Sequence, residues 1–241
     1  MIEIRNVTFS YSGVKALNDI SISIDAGEAV AFIGPNGSGK STLMKLLNGI
    51  IFPDSGTYRF DGDEITERSM RDPGFSKLFH KRMGFVFQNP DVQLFCPSVY
   101  DEIAFGPRQM GLSEKETAAR VSDVMGLLGV ESLADRPPYH LSGGEKRKVA
   151  IACSLVLNPE VLALDEPMNG LDPKSKRFLR ELLINLRGSN KTLLYSTHDF
   201  EYIEGVFERA VVFSSDHAVI RDDCFERVIN DRDFLYRQNI I

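Results

Sequence analysis

Residues 29–42 read Ala29-Val30-Ala31-Phe32-Ile33-Gly34-Pro35-Asn36-Gly37-Ser38-Gly39-Lys40-Ser41-Thr42. The first five are apolar throughout, as in a strand covered on both faces of a parallel sheet. The next nine match GxxxxGK[ST], placed where that pattern carries meaning: after a buried strand and before a helix, read here over Ser41–Leu47. Glycines let the backbone curl until successive N–H groups face one anion. The helix start adds unpaired donors and the positive end of its dipole. Lys40 can then reach the outer phosphates, and the Ser41 hydroxyl can ligate Mg²⁺. A glycine-rich turn that merely caps a helix is the plainer alternative, and the flanking strand and helix argue against it.

Working outward, residues 2–9 alternate apolar and polar apart from Asn6, and residues 20–24 alternate cleanly, the mark of half-buried antiparallel strands. Residues 57–60 suggest an edge strand closed by Asp61-Gly62. Further along, 83–88, 161–165 and 192–196 are short apolar strands. A charged amphipathic helix over 174–187 separates the last two. Residues 98–157 are mostly helical in period, with loops expected at Gly106-Pro107 and Pro137-Pro138. A hairpin over 210–221 and a polar helix over 222–230 close the chain. Strands alternating with helices imply a parallel sheet and an α/β fold.

The 241 residues are 43% hydrophobic and 26% charged, which excludes disordered and collagen-like classes. With 28 basic and 34 acidic residues the net charge is −6, so no nucleic-acid partner is expected. No apolar run reaches the ~18–20 residues of a membrane span, and the N-terminus lacks a signal-peptide pattern. Cys96, Cys153 and Cys224 are too scattered for a disulfide framework or a zinc site, as are the four histidines for a metal cluster. A cytosolic chain with reduced thiols follows.

Several polar residues stand at the ends of apolar strands, where α/β folds place ligands. Asp165 ends one and can hold the Mg²⁺ of a phosphate loop on the neighbouring strand. Glu166 follows and can orient water and accept its proton. An ordinary turn before Pro167 is the lesser alternative for the pair taken alone. Gln88 ends the strand from Met83 and can ligate Mg²⁺ or position water, although a lone glutamine is usually a loop residue. His198 follows the strand ending at Ser196. Ser142-Gly143-Gly144-Glu145 is a capping box and, compatibly, a second anion site at a helix start. Tyr11 can stack on a purine face or be a half-buried aromatic.

In this order the motifs resemble those of the ATP-binding-cassette (ABC) ATPases over essentially residues 1–210. The matching elements are Gly34–Thr42, Gln88, Leu141-Ser142-Gly143-Gly144-Glu145, Leu164-Asp165-Glu166-Pro167, Gly170-Leu171-Asp172 and Ser196-Thr197-His198-Asp199. The Ser142–Glu145 signature separates this family from other phosphate-loop ATPases. The resemblance implies a phosphate-loop NTPase (RecA-like) core with an antiparallel β subdomain and a helical signature subdomain. On that division 1–241 is one ABC ATPase domain, with 1–88 and 158–241 as core and 89–157 as the helical part. It also implies a head-to-tail dimer with two ATP molecules between subunits. Each ATP would meet Gly34, Pro35, Asn36, Gly37, Ser38, Gly39, Lys40, Ser41 and Thr42 of one chain and Ser142, Gly143, Gly144 and Glu145 of the other. Tyr11 would stack on adenine, and Ser41, Gln88 and Asp165 would serve Mg²⁺. Glu166 would be the general base, His198 would hold the γ-phosphate, and Asp172 would sit at the dimer contact.

A finer resemblance lies in Phe87–Phe95, in Asp101–Pro107 and in Glu145 of the signature. These are similar to the energy-coupling-factor and cobalt/nickel importer ATPases. There the region 87–107 would face transmembrane coupling subunits, placing the chain at the cytoplasmic face of the membrane beside a second ATPase subunit, itself or a sister chain. Met168 and the Ser214–His217 hairpin tip depart from the family pattern, and the short tail favours the metal-importer type over the vitamin type. Two other classes compete. A soluble ABC ATPase of iron–sulfur assembly or DNA repair would share the nucleotide motifs but not 88–95 and 104–107. An inactive cassette is opposed by Lys40, Asp165, Glu166 and His198.

Overall fold

The computed structural model describes residues 1–241, the side chain of Glu201 excepted. Two sheets sandwich the first helix. The smaller is antiparallel and built from β1 (Ile2–Tyr11), β2 (Val14–Ile24), β4 (Ser55–Phe60) and β5 (Asp63–Glu64), in the order β2-β1-β4-β5. The larger joins β3 (Ala29–Ile33), β6 (Met83–Val86), β7 (Val161–Asp165), β8 (Thr192–Thr197), β9 (Arg209–Phe213) and β10 (Val219–Cys224), in the order β10-β9-β3-β8-β7-β6. All its pairings are parallel except that of β9 with β10.

β3 shows why its apolar run carries no alternation. Val30 and Phe32 join one core with Leu43, Met44 and Leu47 of α1 (Lys40–Leu47) and with Ile4, Ile22 and Tyr58 of the small sheet. Ala29, Ala31 and Ile33 join a second core on the opposite face. That second core is filled by α4 (Val99–Gln109), α5 (Glu114–Leu128), α6 (Gly143–Leu155) and α7 (Pro173–Gly188). A strand buried on both faces has no polar side to show.

The structure departs from the sequence expectations at definite points. Gly106-Pro107 is not a loop but lies inside α4. Proline removes one helical N–H donor, yet Val99, Ile103 and Pro107 fall at i, i+4 and i+8 and are all buried, so the packed stripe offsets that loss. The chain turns instead at Gly111, whose φ is 80°, before Ser113 caps α5. β4 is not an edge strand, because the two-residue β5 pairs outside it. β8 separates β3 from β7, so Asp165 is not on the strand next to the phosphate loop. β6 ends at Val86, two residues before Gln88. β10 runs to Cys224, so the last helices are α8 (Phe225–Asn230) and α9 (Arg232–Arg237). Two short helices, α2 (Glu67–Met70) and α3 (Pro73–Arg82), escape a periodicity reading; α3 buries only Phe79.

Candidate nucleotide site

The carboxyl ends of β3, β8 and β7 lie side by side. Ile33 pairs with Thr197, and Asp165 with Ser196. Whatever follows these strands converges on one edge of the sheet, the usual ligand position of an open α/β fold. A cavity of about 410 Å³ opens there, lined by Asn36–Thr42, Gln88, Glu166, Asn169 and His198. Gly34 and Pro35 stand behind it, where their carbonyls accept hydrogen bonds from Lys40 Nζ at 2.8 and 2.9 Å.

The loop has little freedom to be anything else. Gly37 and Gly39 have φ of 79° and 105°, values that side chains with a Cβ rarely adopt. A Cβ on Gly39 would also stand 2.4 Å from the Ala16 carbonyl of β2. The antiparallel sheet therefore presses on the loop that the parallel sheet carries. α1 begins without a side-chain cap, which leaves its leading N–H groups for an external acceptor. Ser38 Oγ is buried without a hydrogen-bond partner among the described residues. Unspent donors around a cradle of this shape fit a polyphosphate.

The charged groups fit a divalent cation of hard-oxygen preference. Asp165 is 3% exposed, and burial above all raises its carboxyl pKa, with the adjacent Glu166 charge adding to the rise. Hydrogen bonds from Ser196 and Ser41 pull the other way. Ser41 Oγ donates to Asp165 Oδ1 at 3.0 Å across the intervening β8. Burial lowers the Lys40 pKa, and the carboxylates of Glu166 and Asp165 partly restore it. Two crowded carboxylates, a serine hydroxyl and the Gln88 amide form an oxygen-rich donor set suited to Mg²⁺ together with substrate phosphates.

Glu166 is 8% exposed and held from three sides. Its N–H donates to Ser196 Oγ at 3.0 Å. Gln88 Nε2 donates to Oε2 at 3.0 Å, and Asn169 Nδ2 to the same oxygen at 3.3 Å. His198 Nδ1 stands 3.2 Å from Oε1, in an orientation that makes no hydrogen bond. The backbone at Glu166 has φ of 44°, an unfavoured value for a residue with a side chain.

The signature residues are elsewhere. Ser142, Gly143, Gly144, Glu145 and Asp172 line a separate cavity of about 570 Å³ with Lys174, Ser175 and Phe178. Ser142 caps α6 through a full capping box: its Oγ accepts from the Glu145 N–H at 3.4 Å and its N–H donates to Glu145 Oε2 at 2.8 Å, to which Oγ also donates at 2.7 Å. Those bonds hold the Glu145 carboxyl below the usual range. Asp172 caps α7, accepting from the N–H groups of Lys174 and Ser175 at 2.9 and 3.0 Å. Tyr11 lines neither cavity; it is 43% exposed and packs edge-on against Phe9.

Sequence reasoning gave no role to Asn169 or Ser196, which bond directly to Glu166 and Asp165. Ser196 had a signal in its position at a strand end, one residue before Thr197-His198. Asn169 had none beyond following Glu166 by three residues.

Residues 17–169 match the family described as "ABC transporter". A "Putative ABC transporter ATP-binding protein" of Clostridium acetobutylicum is 60% identical over 241 residues, covering 100% of both chains. The "Nickel import ATP-binding protein LarO" of Lactiplantibacillus plantarum is 45% identical over 222 residues, 92% of each chain. Among solved structures, cbiO1 of Clostridium perfringens, described as part of the ABC transporter complex cbiONQ, superposes with a TM-score of 0.82. It is 34% identical and the match covers 99% of this chain and 94% of that one. With this fold, this cradle and these relatives in agreement, the chain belongs to the ATP-binding subunits of the ABC transporter family and is an ATPase.

Proposed function

We propose that the chain energises a membrane importer of the energy-coupling-factor type, with nickel or cobalt ions as cargo carried by separate membrane subunits. The observation that carries this is the surface beside Gln88. Val92 and Phe95 are 67% and 68% exposed, and Phe95 meets Phe105 edge-on at 5.1 Å. Apolar side chains grouped on an otherwise charged surface suit a protein partner. Among the described residues no helix is long and apolar enough to cross a membrane; in this reading a partner supplies the span, and the chain sits at the cytoplasmic membrane face. The names of the nickel importer and of the cbiONQ subunit support the cargo class.

The sites work in pairs in this proposal. A second copy or a sister chain lies head to tail, so that Ser142–Glu145 and Asp172 of one chain close over the phosphates held by Gly34–Thr42 of the other. Tyr11 stacks on adenine. Ser41, Asp165 and Gln88 hold Mg²⁺, which neutralises phosphate charge when bound. Lys40 leaves the Gly34 and Pro35 carbonyls for the outer phosphates. Glu166 takes the proton of the attacking water, oriented by Gln88 and Asn169, and His198 holds the γ-phosphate. The chain divides functionally into a core, 1–88 with 158–241, and a helical part, 89–157, that turns against it.

Glu166→Gln tests the chemistry. It is expected to bind ATP, to lose about 10²–10⁴ in kcat, and to elute at twice the mass of one chain when ATP is present. Turnover at the parent rate would remove Glu166 from the role of base. For the partner, Phe95→Asp with Phe105→Asp is expected to release the chain from membrane complexes of its own cell while the purified chain still hydrolyses ATP. A parent chain found only in soluble assemblies would overturn the importer reading.

A further inference from the structure

Arg147 is 5% exposed, inside α6. Its Nη1 donates to the Phe87 carbonyl at 2.7 Å and its Nη2 to the Gln88 carbonyl at 2.6 Å. Its Nε is buried without a hydrogen-bond partner among the described residues. A guanidinium placed this deep is costly, and an apolar side chain of similar volume often fills such a place at equal or better stability. The charge is spent on two main-chain oxygens of one loop, which points to control of that loop's position.

The rest of the same helix face agrees. Ala150 accepts from Gln93 Nε2 at 3.0 Å, and Ser154 Oγ donates to the Phe85 carbonyl at 2.7 Å. Positions 147, 150 and 154 are i, i+3 and i+7, one face of a helix. Gln93 in turn accepts from the Phe87 N–H at 3.3 Å. Of these grips only Arg147 touches Gln88 itself, and Gln88 Nε2 is the shorter of two amide donors on Glu166 Oε2, Asn169 being the other.

We infer that Arg147 is a positioning residue for ATP hydrolysis, fixing the Gln88 backbone so that its side chain stays on Glu166. The inference rests on Glu166 being the base. The fork matters: two parallel N–H groups reach two successive carbonyls, which a lysine ammonium cannot reproduce.

The test is a mutant cycle on the purified chain with MgATP, reading kcat, KM and Tm. Arg147→Lys keeps the charge and is the informative variant; Arg147→Met removes it. Arg147→Lys is expected to lower kcat about 10- to 100-fold with KM within about twofold. In a Gln88→Ala background the same change is expected to cost nothing further. Equal losses in both backgrounds, or a kcat loss that merely follows a falling Tm, would assign Arg147 to packing and overturn the inference. A parent chain that hydrolyses no ATP would instead sink the reading of the site. Active parent enzyme with an additive cycle would sink only the role of Arg147.

Discussion

The phosphate loop and the signature turn both begin a helix, and they begin it in opposite ways. α1 starts from glycines with no side-chain cap and with a buried serine hydroxyl unpaired. α6 starts from Ser142 with every capping bond already made to Glu145. The first is a receptor left open by the fold. The second is closed by its own side-chain cap, which still leaves the N–H groups of Gly143 and Gly144 without an intrahelical partner. The lesson is that the phosphate loop gathers its donors within one chain, whereas in the proposed head-to-tail dimer the signature turn acts on a nucleotide held by another chain.

The sharpest break in that comparison is Lys40→Ala, which removes a charge from the open half. ATPase activity is expected to fall about 10²–10³, the loss typical of one transition-state donor. Ser142→Arg should block the closed half by filling the space at its helix start. Neither variant alone should hydrolyse ATP well, but a mixture should, because a mixed dimer holds one unspoiled pair of halves. Recovery of about a quarter of parental activity is expected at equal amounts. A mixture as inactive as its components would mean that the halves do not pair across chains.

A gentler change sharpens the contrast. Glu145 stays ionised beside the position proposed for a partner's phosphates. Glu145→Gln keeps a capping side chain but removes that charge, so KM for ATP is expected to fall about two- to fivefold, the worth of a charge at a helix start. The depressed Glu145 pKa also fixes a sign. Its contribution to stability is present above the unfolded glutamate pKa and is lost as pH falls through the folded one.

Asp165 has the opposite sign. Burial raises its pKa, so its contribution is present below the unfolded aspartate pKa and is lost as pH rises through the folded value. Without nucleotide, Asp165→Asn should therefore raise Tm at pH 7 by about 2–4 °C, and the gain should shrink as pH falls toward about 4. A lower Tm at pH 7 would show that the hydrogen bonds from Ser41 and Ser196 outweigh the burial of charge.

Much of this was legible in the residues because it is local. The apolar run 29–33, the glycines after it and the strand before Asp165 need no distant partner to be recognised. What stayed hidden is long-range. Arg147 meets Gln88 across 59 positions, and no spacing rule connects them. Ser41 meets Asp165 across 124 positions and over a strand that sequence order does not reveal as central. Gly106-Pro107 misled for a related reason: its local breaker chemistry was overruled by a stripe of buried neighbours in α4. α3 was silent because it turns so little of itself inward.

The backbone of Glu166, with its φ of 44°, has a consequence for which residue suits that position. Glycine or asparagine would rest more easily there, by a margin of about 1 kcal/mol. The backbone is therefore no reason for a glutamate to stand there; what holds it is the carboxylate, which accepts from Gln88 and Asn169 and is the group assigned to water activation.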